Sequence, residues 1–161
     1  MSDMDEFAPP TSQIRSQALD ALTGWLAGLE VNPDFGEMIA AVVADEETDR
    51  DRWFVRVHGE AKDVYSVWFD LDQRTLAFET YVMPAPEANH AAFYEQLLVR
   101  NDRFRDLAFT IGDEQAIFLK GRMELGHVTD ESLDRVLGSI HAAVEQSFQP
   151  ALRLGFASRF N

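Results

Sequence analysis

Tyr65–Asn101 reads YSVWFDLDQRTLAFETYVMPAPEANHAAFYEQLLVRN, and this stretch decides the architecture. Apolar and polar residues alternate from Val64 to Leu71 and again from Thr75 to Met83, the period of a strand with one buried face. Asp72 and Gln73 supply turn chemistry between the two runs, so the pair predicts a hairpin. Pro84 and Pro86 have no N–H to give to a ladder and stop the sheet. Ala91, Tyr94, Leu97 and Leu98 then form an apolar stripe, which predicts a helix over Glu87 to Arg100 with Asn101 as its C-terminal stop.

Upstream, Trp53, Val55 and Val57 alternate with Phe54, Arg56 and His58 as a further strand, ended by Gly59. The charged run DEETDRDR, Asp45–Arg52, reads as a solvated connector. Met38–Ala44 is short and apolar and fits either a strand or a helical turn; the β-branched pair Val42-Val43 and the strand that follows favour a strand. Ile14, Ala18, Leu22, Trp25 and Leu29 mark a first helix that starts at Thr11 or Ser12 and breaks at Asn32-Pro33-Asp34. Residues 1–10 read as a disordered leader.

Downstream, Leu107–Ile111 and Ala116–Met123 flank Gly112-Asp113-Glu114 as a second hairpin. Thr129 caps a last helix, and Asp130 and Glu131 in its first turn favour the helix dipole. Leu133, Val136, Leu137, Ile140, Val144 and Phe148 line one face of that helix. Pro150 should kink it near Gln146, and Gly155 should end it. The order helix, three or four strands, helix, two strands, helix predicts one α+β domain over residues 11–161, built on an antiparallel sheet of five to six strands.

Composition narrows the function classes. A chain of 161 residues suits one core, and 46% hydrophobic content argues against disorder beyond the ends. The chain has no cysteine, hence no disulfide framework and no thiolate chemistry. MSDMDEF lacks the basic and apolar regions of a signal peptide, and no apolar run approaches the roughly 20 residues of a membrane span. A cytoplasmic protein without a membrane partner is expected. Twenty-eight Asp and Glu against fourteen Lys and Arg leave a net charge of −14, which repels phosphate backbones and disfavours nucleic acid. Lys62 and Lys120 are the two lysines; the other cations are arginines, suited to planar pairing with carboxylates, and most are expected in such pairs.

The segments WFVRVHGEAKDVYSVWFDLDQRTLAFETYVMPAPEAN, YEQLLVRN, AFTIGDEQAIFLKGRMEL, LDRVLG and PALRLGF, in this order and spacing, resemble the bacterial YbjN-domain family, also labelled sensory transduction regulators. The resemblance covers Arg52 to Phe156. It implies the type III secretion chaperone fold, α-β-β-β-α-β-β-α, and with it small acidic homodimers. A strand at Met38–Ala44 would be an addition to that pattern. The family carries no agreed catalytic residues, so the resemblance transfers none; it implies regulation or partner binding.

The residues themselves offer little catalytic chemistry. His58, His90, His127 and His141 form no His-x-x-x-His or His-Glu-x-x-His pattern, and the Glu87/His90 and Glu124/His127 spacings equally suit ion pairs. No metal site and no cofactor is expected. Gly-x-Ser-x-Gly and phosphate-loop patterns are missing, so no enzyme class is supported.

The sheet is more informative. One face reads as core through Trp53, Val55, Val57, Tyr65, Val67, Phe69, Leu71, Leu76, Phe78, Val82, Leu107, Phe109, Ile111, Ile117 and Leu119. A sheet buried on one side should be polar on the other. Here the other side mixes Phe54, Arg56, Trp68, Glu79, Tyr81, Phe118, Lys120 and Arg122. Either these aromatics pack under the first helix or the charged connector, or they form an interface, for which Trp, Tyr and Arg are suited. The candidate partner or dimer face is Arg56, Trp68, Glu79, Tyr81 and Arg122, with a homodimer or an unidentified protein partner as occupant. The alternative is a small-molecule sensor whose cavity is lined by Trp25, Trp68, Tyr81 or Tyr94.

Overall fold

The alternation in the two central strands is what organises the chain in three dimensions. A computed structural model describes residues 12–160. It has the order α1 (Ser12–Gly28), β1 (Ile39–Ala44), β2 (Asp51–His58), β3 (Val64–Leu71), β4 (Thr75–Met83), α2 (His90–Asn101), β5 (Ala108–Ile111), β6 (Ile117–Glu124) and α3 (Asp130–Gly155), joined by short 3₁₀ turns. Six strands form one antiparallel sheet in the order β1-β2-β3-β4-β6-β5. The chain leaves β4, passes through α2 to the far edge at β5, and returns in β6 beside β4.

All three helices contribute to one cluster on one face of the sheet. β2 to β4 send Val55, Val57, Val67, Phe69, Leu76 and Phe78 into it, all at most 1% exposed. α1 supplies Leu22, Trp25 and Leu26, the 3₁₀ turn after it supplies Leu29, and α3 supplies Leu133, Leu137, Ile140 and Val144. Trp25 meets Phe69 edge to face at 5.6 Å, and its indole N–H donates to Asp134 at 2.9 Å, which satisfies its one polar atom. α3 opens with a reciprocal cap: Ser132 N–H donates to Thr129 Oγ1, and Thr129 N–H to Ser132 Oγ.

The Met38–Ala44 segment is a strand, and β3 and β4 have the boundaries that the alternation sets. Other expectations need correction. The charged connector is shorter than read: Asp51 and Arg52 belong to β2, where they pair with Leu71 and Asp70, and Arg52 is held by the Asp45 and Asp70 carboxylates. α2 starts at His90 rather than Glu87, because the Glu87 and Ala88 N–H groups donate to Gly155 O at the end of α3. Its buried residues are Phe93 and Leu97, while Ala91 and Leu98 face solvent. Ile111, expected in the core, is 51% exposed at the sheet edge, and Leu107 is buried but precedes β5. α3 runs through Pro150 as one helix to Gly155. The leader and Thr11 lie outside the described residues.

Candidate interaction face

Alternation sends every second side chain of β2, β3, β4 and β6 away from the helices. The helices' buried residues all join the inner cluster, so this outer face carries no helix among the described residues. Arg56, Trp68, Glu79, Tyr81 and Arg122 all lie on it. Trp68 and Glu79 are half-buried, Arg56 and Arg122 are exposed, and Tyr81 is 44% exposed. The buried side chains of α1 join the inner cluster, whereas of the segment read as the connector Arg52 lies over Trp68 and Arg50 borders the same depression.

Strand register arranges the face in rows. Val43, Phe54, Trp68, Glu79, Lys120 and Ala108 are successive cross-strand neighbours across the whole sheet. The next row holds Arg52, Asp70, Ala77 and Arg122. Trp68 and Phe54 pack with their rings tilted and centroids 4.8 Å apart, and the Arg52 guanidinium lies 4.0 Å over the Trp68 ring. Arg56 lies 5.6 Å over Phe54. Tyr81 meets Phe118 edge to face at 5.7 Å, with Lys120 5.9 Å over Phe118. Burial and the nearby Glu114 push the Tyr81 hydroxyl up. Cations over ring faces are attracted by the ring quadrupole, so rings and cations hold one another in place on an open surface.

The centre of the face is a concavity of about 840 Å³, where Trp68, Glu79 and Arg122 meet Arg50, Arg52 and Lys120. Arg56 and Tyr81 share the face but stand outside this concavity. Arg50 and Arg52 pair with Asp70 at 3.0 and 3.2 Å. Among the described residues only Arg15, Arg50, Arg52 and Arg159 form ion pairs, so the expectation that most arginines are paired does not hold. The outer-face cations lie over aromatic rings and around the concavity instead. Arg105 also borders it and was not a sequence candidate; it comes from the loop after α2, which only the tertiary fold brings there.

A second polar cluster closes one end of the molecule. Glu145 of α3 accepts from the Glu60 and Ala61 N–H groups, and Gln149 donates to Ala61 O, which pins the β2–β3 loop. Lys62 donates to Tyr81 O and Val82 O, both at 2.8 Å, and burial lowers its ammonium to about 8. His141 Nδ1 lies 2.8 Å from the Tyr65 hydroxyl, whose pKa burial, followed by Glu145, pushes up. These contacts close backbone and side-chain polar groups on one another and have the character of a clamp. His58, His90 and His127 are exposed and stand apart, and among the described residues no group of three or more His, Asp or Glu could hold a metal ion. Trp25, Trp68, Tyr81 and Tyr94 do not line a common cavity: Trp25 is in the core, Trp68 and Tyr81 are on the outer face, and Tyr94 is on α2.

A family model described as "Putative bacterial sensory transduction regulator" matches residues 18–153. The chain belongs to the YbjN family. An uncharacterized protein of Mycobacterium leprae is 35% identical over 107 residues, covering 66% of this chain and 58% of the relative. Another, of Mycobacterium tuberculosis, is 33% identical over 104 residues, covering 65% and 57%. The chain therefore spans under three fifths of the length of these relatives. A solved chain from the heterodimeric complex ExoU–SpcU of the Pseudomonas aeruginosa type III secretion system matches with a TM-score of 0.51, at 15% identity, over 79% of this chain and 97% of that one. At that identity the likeness concerns the fold alone, and it agrees with a type III secretion chaperone-like α+β domain. The family description is that of a regulator and names no catalytic activity. No helix among the described residues is long and apolar enough to cross a membrane.

Proposed function

We propose that this YbjN protein is a non-enzymatic interaction protein of the cytoplasm, chaperone-like or regulatory, that binds a protein partner on the outer face of its sheet. The observation that carries the reading is a sheet face with no helix over it among the described residues, floored by Phe54, Trp68 and Phe118 and dotted with arginines. Aromatic and arginine side chains anchor interfaces because they bury large area while keeping directed polar contacts. The solved match belongs to a heterodimeric complex, and this adds support by analogy. Self-association has support of its own in the exposed Leu98 and Ile111, which line one depression where α2 meets β5; two-fold homodimers are the commonest soluble assembly.

The test is isolation of the tagged chain from its native cells at near-endogenous level, with its mass measured by light scattering. A recurrent stoichiometric partner that is lost from Trp68→Ala and Arg56→Glu, while Leu98→Glu lowers the mass of the isolated chain, is the expected outcome. Full retention of partner and mass in both outer-face variants would place the interaction elsewhere.

A further inference from the structure

The charge around two adjoining depressions, one on the outer face and one between α3 and the loop after α2, runs against the charge of the chain. The concavity around Trp68 adjoins a smaller one of about 220 Å³, and Arg105, Asp106 and Leu107 border both. Together the two are bordered by seven cations against four carboxylates, in a chain with fourteen against twenty-eight. Arg50 and Arg52 are already matched by Asp70, with Asp72 and Asp45 beside them. Arg103, Arg105, Lys120, Arg122 and Arg135 remain, none in an ion pair among the described residues, and Glu79 and Asp106 border the depressions with them.

The shape is as informative as the charge. The loop that carries Arg105 crosses β6 at Gly121, where an added Cβ would lie 1.9 Å from Asp106 O. Glycine is required by that close approach, and the approach sets Arg105 between the two depressions. They form a bent, open tract round the loop, with Trp68 in one part and Phe104 in the other. A tract of this kind suits an extended chain with spaced negative charges and apolar side chains between them. Nucleic acid fits poorly, since its phosphates are dense and the remainder of a −14 protein repels them.

We infer that the tract from Lys120 and Arg122, past Arg105, to Arg103 and Arg135 receives an extended acidic segment of the partner protein. The inference rests on the proposed function and names the chemistry of the partner. Arginine forks and carboxylates make charge-assisted, bidentate pairs, so the partner's Asp and Glu would complete the unpaired guanidinium groups.

The test is fluorescence anisotropy of the full chain with a labelled 16-residue peptide in which Glu alternates with Leu and Phe. The same peptide with Gln for Glu, and a 16-mer of oligouridylate, are the comparisons. The acidic peptide should bind at low salt, lose at least tenfold in affinity at 150 mM salt, and lose at least tenfold in the doubly reversed Arg105→Glu/Arg122→Glu variant. Thermal melting of that variant, and a second variant, Lys120→Ala/Arg135→Ala, guard against misfolding. Equal binding of the Gln peptide, tighter binding of the oligonucleotide, no binding of the acidic peptide, or indifference to both variants would each overturn the inference. If a Trp68-dependent partner from cells survives any of these outcomes, the interaction face stands and only its acidic occupant falls.

Discussion

Phe69 and Trp68 are consecutive residues of β3, and they stand in opposite environments. Phe69 is fully buried against Trp25 of α1, whereas Trp68 lies on the face that no helix among the described residues covers, under Arg52 and beside Phe54. The same strands thus build two surfaces one residue out of phase. The inner one closes with aliphatic and aromatic groups from all three helices. The outer one is left with rings and cations that hold each other in place without excluding solvent. On the proposed function, stability belongs to the first surface and recognition to the second, and this division is what substitutions can break.

The largest effect is expected in the core. Phe69→Ala and Phe78→Ala should each cost about 3–5 kcal/mol by chemical denaturation, because each empties a sealed site. Trp68→Ala, one residue away, should stay within about 1 kcal/mol, since its surroundings are partly solvated before the change. Comparable losses for Phe69 and Trp68 would erase the distinction between the faces. A smaller effect is expected where the two faces meet at the sheet edge. The Asn101 side chain accepts from Phe109 N–H at 2.7 Å and donates to Phe109 O at 3.2 Å, so it occupies the outer edge of β5 as a neighbouring strand would. Asn101→Ala should cost about 1–3 kcal/mol for the two hydrogen bonds and promote edge-to-edge association, read as concentration-dependent mass. An unchanged midpoint and mass would show that the edge does not need this cover.

The smallest effect is one of pH. Lys62 is partly buried, and its ammonium is lowered from 10.5 to about 8. Between these values the unfolded chain keeps a proton that the folded chain has released. Stability should therefore rise with pH from about 8 towards 10, and less so in Lys62→Met. Above pH 10 the raised Tyr65 acts in the opposite sense, because the unfolded chain then releases a proton that the folded chain retains. A flat or falling profile from pH 8 to 10, matched by Lys62→Met, would contradict the assignment.

The sheet was legible in the sequence wherever one face is sealed. β3 and β4 follow from alternation alone, because a shift by one residue would turn Phe69 and Phe78 to solvent. α2 was legible in type but not in start or rotation. Its first turn is displaced by hydrogen bonds to Gly155 O, 67 and 68 residues away in sequence, and no local pattern records them. The outer-face residues could be named from the alternation, yet their grouping could not. Trp68, Glu79 and Arg122 meet through pairing of three strands, and Arg105 joins them only because Gly121 lets the loop after α2 pass close to β6. Asn101 was read as a helix stop, which it is; its second role as the cover of β5 depends on where that strand is placed.

The central claim is that the outer face is occupied in the cell. Hydroxyl-radical footprinting of Phe54, Trp68 and Tyr81, in intact native cells and in the purified chain, tests it most directly. The account predicts strong oxidation of these residues in the purified chain and marked protection in cells, with Phe69 silent in both. Equal oxidation of the three residues in cells and in isolation would contradict it.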